Sequence, residues 1–125
     1  MILKRSDIVI LHCMKKETWE KVKDNKYFGE KSLELEGFVH CSPVEYMWRV
    51  APNFKDVTDE LVLLCIDTDK LKSEVRWEDG DKCGRSYPHV YGLINTDAVT
   101  KVLPYLKDEN GNWIKNDELK HIQDR

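Results

Sequence analysis

Three of the four histidines in this 125-residue chain lie in short apolar runs: Ile8-Val-Ile-Leu-His12, Phe38-Val-His40-Cys-Ser42 and Tyr87-Pro-His89-Val-Tyr91. Imidazole changes charge near neutral pH, and it can accept a proton, donate a hydrogen bond or ligate a metal. Side chains alternate faces along a strand, so residues two apart share one face. His12 therefore sides with Ile8 and Ile10, His40 with Phe38 and Ser42, and His89 with Tyr87 and Tyr91. If the three strands are neighbours, their imidazoles, hydroxyls and phenols converge on one cleft.

Several chemistries compete for such a cleft. Zinc would take His12, His40 and His89 as three imidazole ligands. The pairs His12-Cys13 and His40-Cys41 cannot easily chelate one ion, because neighbours on a strand face opposite ways. No His-Glu-x-x-His or Cys-x-x-Cys spacing occurs, so no metal is expected. Cys41 precedes a helix start, a setting that activates thiols, but alternation turns it away from His40 and into the core. A nucleotide or phosphate site fits more of the residues. Ser42 opens a helix whose free N–H groups attract anions. His12, His40 and Arg76 add donors or charge, and Tyr87 or Tyr91 can stack on a planar ring. The remaining alternative makes the histidines core residues bonded to backbone. Arg76 and Glu78 share a face, and an exposed cross-strand ion pair is their default reading.

The bulk numbers narrow the field. Hydrophobic residues make up 41% and charged residues 34%, a balance suited to a soluble domain with one core. Twenty basic against 23 acidic side chains leave a net charge of -3, which argues against duplex nucleic acid as a partner. No apolar stretch approaches the roughly 20 residues that span a bilayer, so no membrane partner is expected. Lys4 and Arg5 are followed by Asp7 and by an apolar run too short for a signal peptide. The four cysteines lack paired spacing, which points to reduced thiols and a cytoplasmic location.

The elements that must position the histidines follow from pattern. Ile8 to Cys13 reads as a strand, followed by a helix from Lys16 to about Asn25 with Trp19 and Val22 inward. Asn25 to Gly29 reads as a turn, and a helical turn from Ser32 to Glu36 ends at Gly37. After the strand Phe38 to Cys41, Ser42 as N-cap, Pro43 at the first helical position and Glu45 in a capping box start a helix. Pro52 ends it. Leu61 to Ile66 is apolar on both faces, as in a central strand, and Asp67-Thr68 opens a turn. Val75 to Trp77 is a short strand, and Asp79 to Ser86 a mobile loop. Tyr87 to Ile94 is a strand that Pro88 assigns to an edge or a strand start. Val99 to Leu106 is the last core strand, and Asn112 to Ile114 a hairpin partner. The tail from Lys115 reads as frayed or disordered. The whole is one α+β domain over 1–125, with a core at about 8–106 and a charged hairpin and tail at 107–125.

Ile10-Leu-His12 with Trp19, Glu36-Gly-Phe-Val-His-Cys-Ser42, Leu61-Val-Leu-Leu-Cys-Ile-Asp67, Val75-Arg-Trp-Glu78 and Tyr87-Pro-His-Val-Tyr-Gly92 follow one another in order. The series resembles the bacterial family catalogued as domain of unknown function 952, over residues 8 to 104. The resemblance implies an ADP-ribosyltransferase-like fold, with two small sheets across a cleft and flanking helices, and it implies no established activity. Transferases of that fold carry a first-strand His or Arg that holds the NAD ribose. A second-strand aromatic or polar position backed by a helix follows, and then a glutamate on a later strand. His12 looks like the first element and Phe38 to Ser42 like the second. The third falls near His89 or Tyr91, neither of which is a glutamate. The tRNA 2′-phosphotransferase of the same fold works with histidine and arginine, and His12, His40, His89 and Arg76 look more like that set.

The expected function is a cleft for NAD, ADP-ribose or a phosphorylated nucleotide, with ADP-ribosyl- or 2′-phosphotransferase-like chemistry. His12 would hold a ribose hydroxyl or phosphate. His40 and Ser42 would form a wall, and His89 with Tyr91 would orient or stack the ligand. A non-catalytic small-ligand or protein-interaction module on the same fold is the alternative, and a histidine-based metalloenzyme comes third.

Overall fold

A computed structural model describes residues 9–125; Ile8, Lys4, Arg5 and Asp7, on which some of the expectations above rest, lie outside the described residues. The first strand, β1 (Val9–Lys15), pairs along its whole length with the apolar run near mid-chain, β5 (Leu61–Asp67), in the register Val9↔Asp67 to Lys15↔Leu61. Two outer strands, β4 (Ser42–Pro43) beside β1 and β9 (Val99–Pro104) beside β5, complete an antiparallel four-stranded sheet in the order β4-β1-β5-β9. A second antiparallel sheet places β7 (Tyr87–Tyr91) between β3 (Val39–His40) and β6 (Glu74–Glu78). Two ribbons, β2 (Tyr27–Phe28) with β8 (Ile94–Asn95) and β10 (Leu106–Lys107) with β11 (Trp113–Ile114), finish the β structure. The class is α+β with mostly antiparallel small sheets and few helices.

Strand β5 is apolar on both faces because both faces are covered. Val62, Leu64 and Ile66 join Ile10, Phe28, Val39, Val90 and Ile94 on one side, between the two sheets. Leu61, Leu63 and Cys65 join Leu11, Val44, Met47, Leu103, Tyr105 and Leu119 on the other. Short helices flank these layers: α1 (Lys16–Val22), α2 (Glu30–Glu36) and α3 (Met47–Val50), the last set between 3₁₀ turns at Val44–Tyr46 and Ala51–Phe54. Trp19 and Val22 form the inward stripe of α1, with the Trp19 ring edge-on to Phe28 at 5.8 Å. Gly37 ends α2 at φ 83°, its N–H donating to Leu33 O, as a left-handed cap requires.

The segment from Val39 to Pro43 ties the sheets together. Val39↔Val90 and His40↔His89 belong to the second sheet, whereas Ser42↔Leu11 and Pro43↔Ile10 belong to the first. Between them, Cys41 donates its N–H to Pro88 O at 3.1 Å. One short stretch of chain thus leaves one ladder and enters the other.

Several expectations are corrected. The helix after β1 ends at Val22 rather than near Asn25, and the expected turn before Gly29 contains β2, whose pairing with β8 claims Tyr27 and Phe28. Ser42 is no N-cap: its backbone is in β4, and its buried hydroxyl donates to Pro43 O at 2.8 Å. Sheet pairing with β1 outcompetes the capping box, so helical structure starts later, at Val44. The α-helix ends at Val50, ahead of Pro52 as expected, but the chain stays helical: Pro52 sits in the first turn of the 3₁₀ segment that follows, where no N–H is needed. Pro88 stands near the start of its strand, but that strand is the central one of its sheet. The last core strand stops at Pro104, and Leu106 belongs to the hairpin with β11.

Asp79 to Ser86 forms an organised turn, in which the Asp79 carboxylate accepts N–H bonds from Cys83 at 2.9 Å and Gly84 at 2.7 Å. These bonds hold the Asp79 carboxyl below the usual range. The tail beyond Lys115 is docked. Asn116 donates to Pro104 O at 2.8 Å, Leu119 is buried in the cluster with Leu63 and Met47, and Lys115 reaches Asp124. Replacing Leu119 with Ala should therefore cost about 2–5 kcal/mol in a denaturant melt. A loss near zero would return the tail to the frayed state that its charge suggested.

Candidate functional site

Where the chain crosses between sheets, β4 covers only Ile10 and Leu11 of β1, and the edge beyond them stays open. A cleft of about 440 Å³ lies against that edge. It is lined by His12 and Cys13 of β1, by Phe38, His40 and Ser42, by Arg49, Asn53 and Phe54 from the helical stretch, by Glu78, Asp79 and Asp81, and by Tyr87 and His89 of β7. All three strand histidines line this one space.

His12 points Nδ1 at the backbone. That nitrogen lies 2.7 Å from His40 O, a carbonyl that can only accept, so Nδ1 carries the proton. Burial pushes the His12 pKa below its ordinary value of 6.5, with a hydrogen bond to His40 opposing and the His40 charge reinforcing. Near neutral pH the ring is uncharged, and Nε2 holds a free lone pair. His12 can thus accept from a hydroxyl; it is a poor partner for a phosphate.

His89 is buried, and its ring stacks on Phe38 with centroids 4.1 Å apart and planes 20° from parallel. Its Nδ1 lies 2.9 Å from Glu78 Oε1, and the Tyr91 hydroxyl donates to the same oxygen at 2.6 Å. The tyrosine bond first, and the histidine bond after it, hold the Glu78 carboxyl below the usual range. An ionised Glu78 fixes the His89 tautomer as Nδ1–H and leaves Nε2 to offer, the arrangement by which a carboxylate orients a catalytic imidazole. His40 is exposed, edge-on to His89 at 5.2 Å, and its Nε2 bonds to the Glu36 carboxylate of α2.

Two of the named residues fall outside the cleft lining. Tyr91 shares the face of His89 but sits farther along β7, where it supports Glu78 from behind. Arg76 does not pair with Glu78. It binds Glu74 through Nε at 3.1 Å and a terminal nitrogen at 3.2 Å, and lies 4.3 Å above the Tyr91 ring. Ser42 and Tyr87 do line the cleft, although the Ser42 hydroxyl is already donated to Pro43. Cys41 is buried and burial pushes its thiol far up, so it is no nucleophile. Among the described residues no three His, Cys, Asp or Glu side chains cluster as metal ligands would.

Sequence reasoning missed Glu78 and Arg49 as site residues, and it named Phe38 only as part of the second-strand element. For Glu78 the signal was present. Arg76↔His89 and Glu78↔Tyr87 are cross-strand partners, so period two in both strands puts Glu78 on the histidine face once the strands are known to pair. That pairing was the missing fact.

The family model described as Protein of unknown function (DUF952) matches residues 13–102. The chain belongs to this family. His12 stands one residue before the matched span, and the other cleft residues named above, apart from His12, lie within it. The DUF952 chain is similar to protein CC0527 of Caulobacter crescentus. In that protein's crystal structure the identity is 25%, with 90% of this chain and 98% of that one covered, at a TM-score of 0.77. A double mutant of CC0527 gives 24% and 0.77, and its solution NMR structure 25% and 0.68, the latter covering 82% and 89%. No curated protein matches the chain. No helix among the described residues of this DUF952 protein is long and apolar enough to cross a membrane.

The depressed His12 pKa has a measurable consequence. Above 6.5 the ring is neutral in both the folded and unfolded chain, and the folded state keeps its full stability. Below 6.5 the unfolded chain binds the proton first, so stability falls with pH until the folded pKa is passed. His12→Asn keeps a donor near His40 O and does not titrate. Denaturant melts across this range should show a shallower acid loss for His12→Asn than for the wild type. Parallel profiles would refute a neutral His12 whose pKa lies below its ordinary value.

Proposed function

We propose that the cleft binds the ribose of a nucleotide or of an ADP-ribose-type ligand, NAD among them. One observation carries this reading: His12 and His89 both commit Nδ1 to the protein, and each is left with Nε2. Two imidazole acceptors on one cleft suit a sugar with neighbouring hydroxyls. Phosphate recognition rests on Arg49, which Glu78, Asp79 and Asp81 outnumber among the lining groups. That balance favours a ligand with one or two phosphates over a triphosphate.

The finer reading is an ADP-ribosyltransferase-like arrangement with transfer chemistry. It is supported by a feature that strand order alone hid. Although neither His89 nor Tyr91 is a glutamate, the next strand supplies Glu78 to both of them. A carboxylate held ionised beside the sugar can stabilise positive charge developing there, and His89 oriented by Glu78 can accept a hydroxyl proton. Tyr91 and Arg76 act through Glu78 as positioning residues. The 2′-phosphotransferase-like version needs the same two histidines and uses Arg49 for the phosphate in place of Arg76, which lies over the Tyr91 ring outside the cleft lining.

Calorimetry with ADP-ribose tests the binding claim. Replacing His89 with Ala should weaken the wild-type affinity about tenfold to a hundredfold, the effect of one lost hydrogen bond involving an oriented polar group. Removing the ribose hydroxyls from the ligand should weaken wild-type binding by a similar factor and leave the His89→Ala variant less affected. If ADP-ribose, NAD and mononucleotides all fail to bind or to raise the melting temperature of the wild type, the three histidines are structural and the reading falls.

A further inference from the structure

The two larger sheets end on β4, β9, β3 and β6, and three of these edges carry a device against further pairing. β4 and β3 are each two residues long. β9 is bulged where Cys65↔Lys101 gives way to Ile66↔Val99, exposes Lys101 and ends on Pro104. Short strands, bulges, lysine and proline are what keep an edge single. β6 has none of them. Its five residues pair with β7 in unbroken register from Glu74↔Tyr91 to Glu78↔Tyr87, and its other side has no strand partner among the described residues.

Pro88 decides which backbone groups of β6 face that open side. It has no N–H, and its carbonyl accepts from Cys41 on the β3 side. Trp77↔Pro88 is therefore an antiparallel pair of the non-hydrogen-bonded kind, so Trp77 aims its own N–H and C=O away from β7. Val75, two residues back, does the same. Two donors and two acceptors thus stand ready for another strand.

The side chains select that strand. Glu74 and Arg76 are exposed on one face; Val75 and Trp77 share the other, where Trp77 is 46% exposed. If an antiparallel copy of β6 is set with Val75 opposite Val75, that pair is a hydrogen-bonded one. Glu74 of each chain then faces Arg76 of the other, twice over by the two-fold axis. Trp77 comes to lie across from Ser73 of the second copy. Centring on Arg76 instead sets arginine against arginine and Glu74 against Glu78. Centring on Trp77 enlists Glu78, which His89 and Tyr91 already hold. We infer that β6 pairs with β6 of a second copy of this chain, in the register that places Val75 opposite itself. The two three-stranded sheets become one continuous sheet.

Sedimentation of the intact chain over a concentration series tests this. Arg76→Glu and Glu74→Arg each place like charges opposite one another, and each should raise the dimer dissociation constant about tenfold or more. An equal mixture of the two variants restores the opposition of glutamate and arginine at both positions. It should dimerise as tightly as the wild type, and so should the double swap of Glu74→Arg with Arg76→Glu in one chain. A role of either residue within its own chain would give no rescue by mixing. Melting temperatures at high dilution check that each variant is folded. The Val75 and Trp77 amides of the wild type should exchange more slowly with solvent in concentrated than in dilute solution. A wild type that stays monomeric at millimolar concentration overturns the proposal. So does a dimer that neither single variant weakens, or a weakened one that neither the mixture nor the double swap restores.

Discussion

The carbonyl of His40 is the point on which the two halves of the structure meet. It belongs to a chain segment leaving one antiparallel ladder for another, where a backbone acceptor has no strand partner waiting. The imidazole of His12 meets that need from the neighbouring edge of β1, a bond of the kind that contributes about 0.5–1.5 kcal/mol. The same bond orients His12, fixes its tautomer and turns Nε2 outward. Structural and functional demands on this residue are therefore one demand. Alanine at position 12 would damage the sheet crossing and the cleft together; asparagine separates them, because it can keep the donor and lose the acceptor.

The crossing holds because its surroundings leave little freedom. Val39 and Ile10 are fully buried between the sheets, on the face of β5 that carries Leu64 and Ile66. On the opposite face, Leu11, Val44 and Met47 meet Leu63 and the docked tail. Strand β5 thus anchors both sides of the junction, and its unbroken apolar run is what that position needs. Thiols in these layers act as small hydrophobic groups. Burial raises Cys13 to about 12 and Cys65 to about 11, and all four cysteines are free.

How much of this could be read from the chain depended on range. Periodicity found β1, β5, β6, β7 and β11, and the alternation rule put His40 on one face with Phe38 and His89 with Tyr87 and Tyr91, because both signals are local. Ser42, Pro43 and Glu45 misled for the same reason. Their order is a sound capping signal within a few residues, but it carries no knowledge of β1, whose edge takes Ser42 and Pro43 into a sheet. Glu78 was hidden by the opposite failure. Its nearest charged neighbours in sequence are Arg76 and Asp79, whereas the groups that bind it, His89 and Tyr91, arrive from a strand eleven and thirteen residues away. The tail was misjudged on composition: its charges are outward, but Asn116 and Leu119 point inward, and two inward residues suffice to dock a short segment.

The electrostatics of the cleft sharpen what it can select. Two neighbouring environments push titratable groups apart: burial keeps His12 uncharged, while bonds from Tyr91 and His89 keep Glu78 ionised. Near neutral pH the lining of the cleft thus includes a neutral acceptor and a fixed negative charge. Among the described residues that line it, Arg49 is the lone arginine or lysine, and it is also held by the carbonyl of Arg125 and stacked on Trp48. A polyanion would meet Glu78, Asp79 and Asp81 with little to balance them. A hydroxyl-bearing group with modest negative charge meets no such penalty, and any positive charge that develops on it would be stabilised by Glu78. Under the proposed ribose reading, selection in this cleft would follow hydroxyl geometry first and phosphate charge second, because the backbone carbonyl that orients His12 leaves Nε2 as an acceptor.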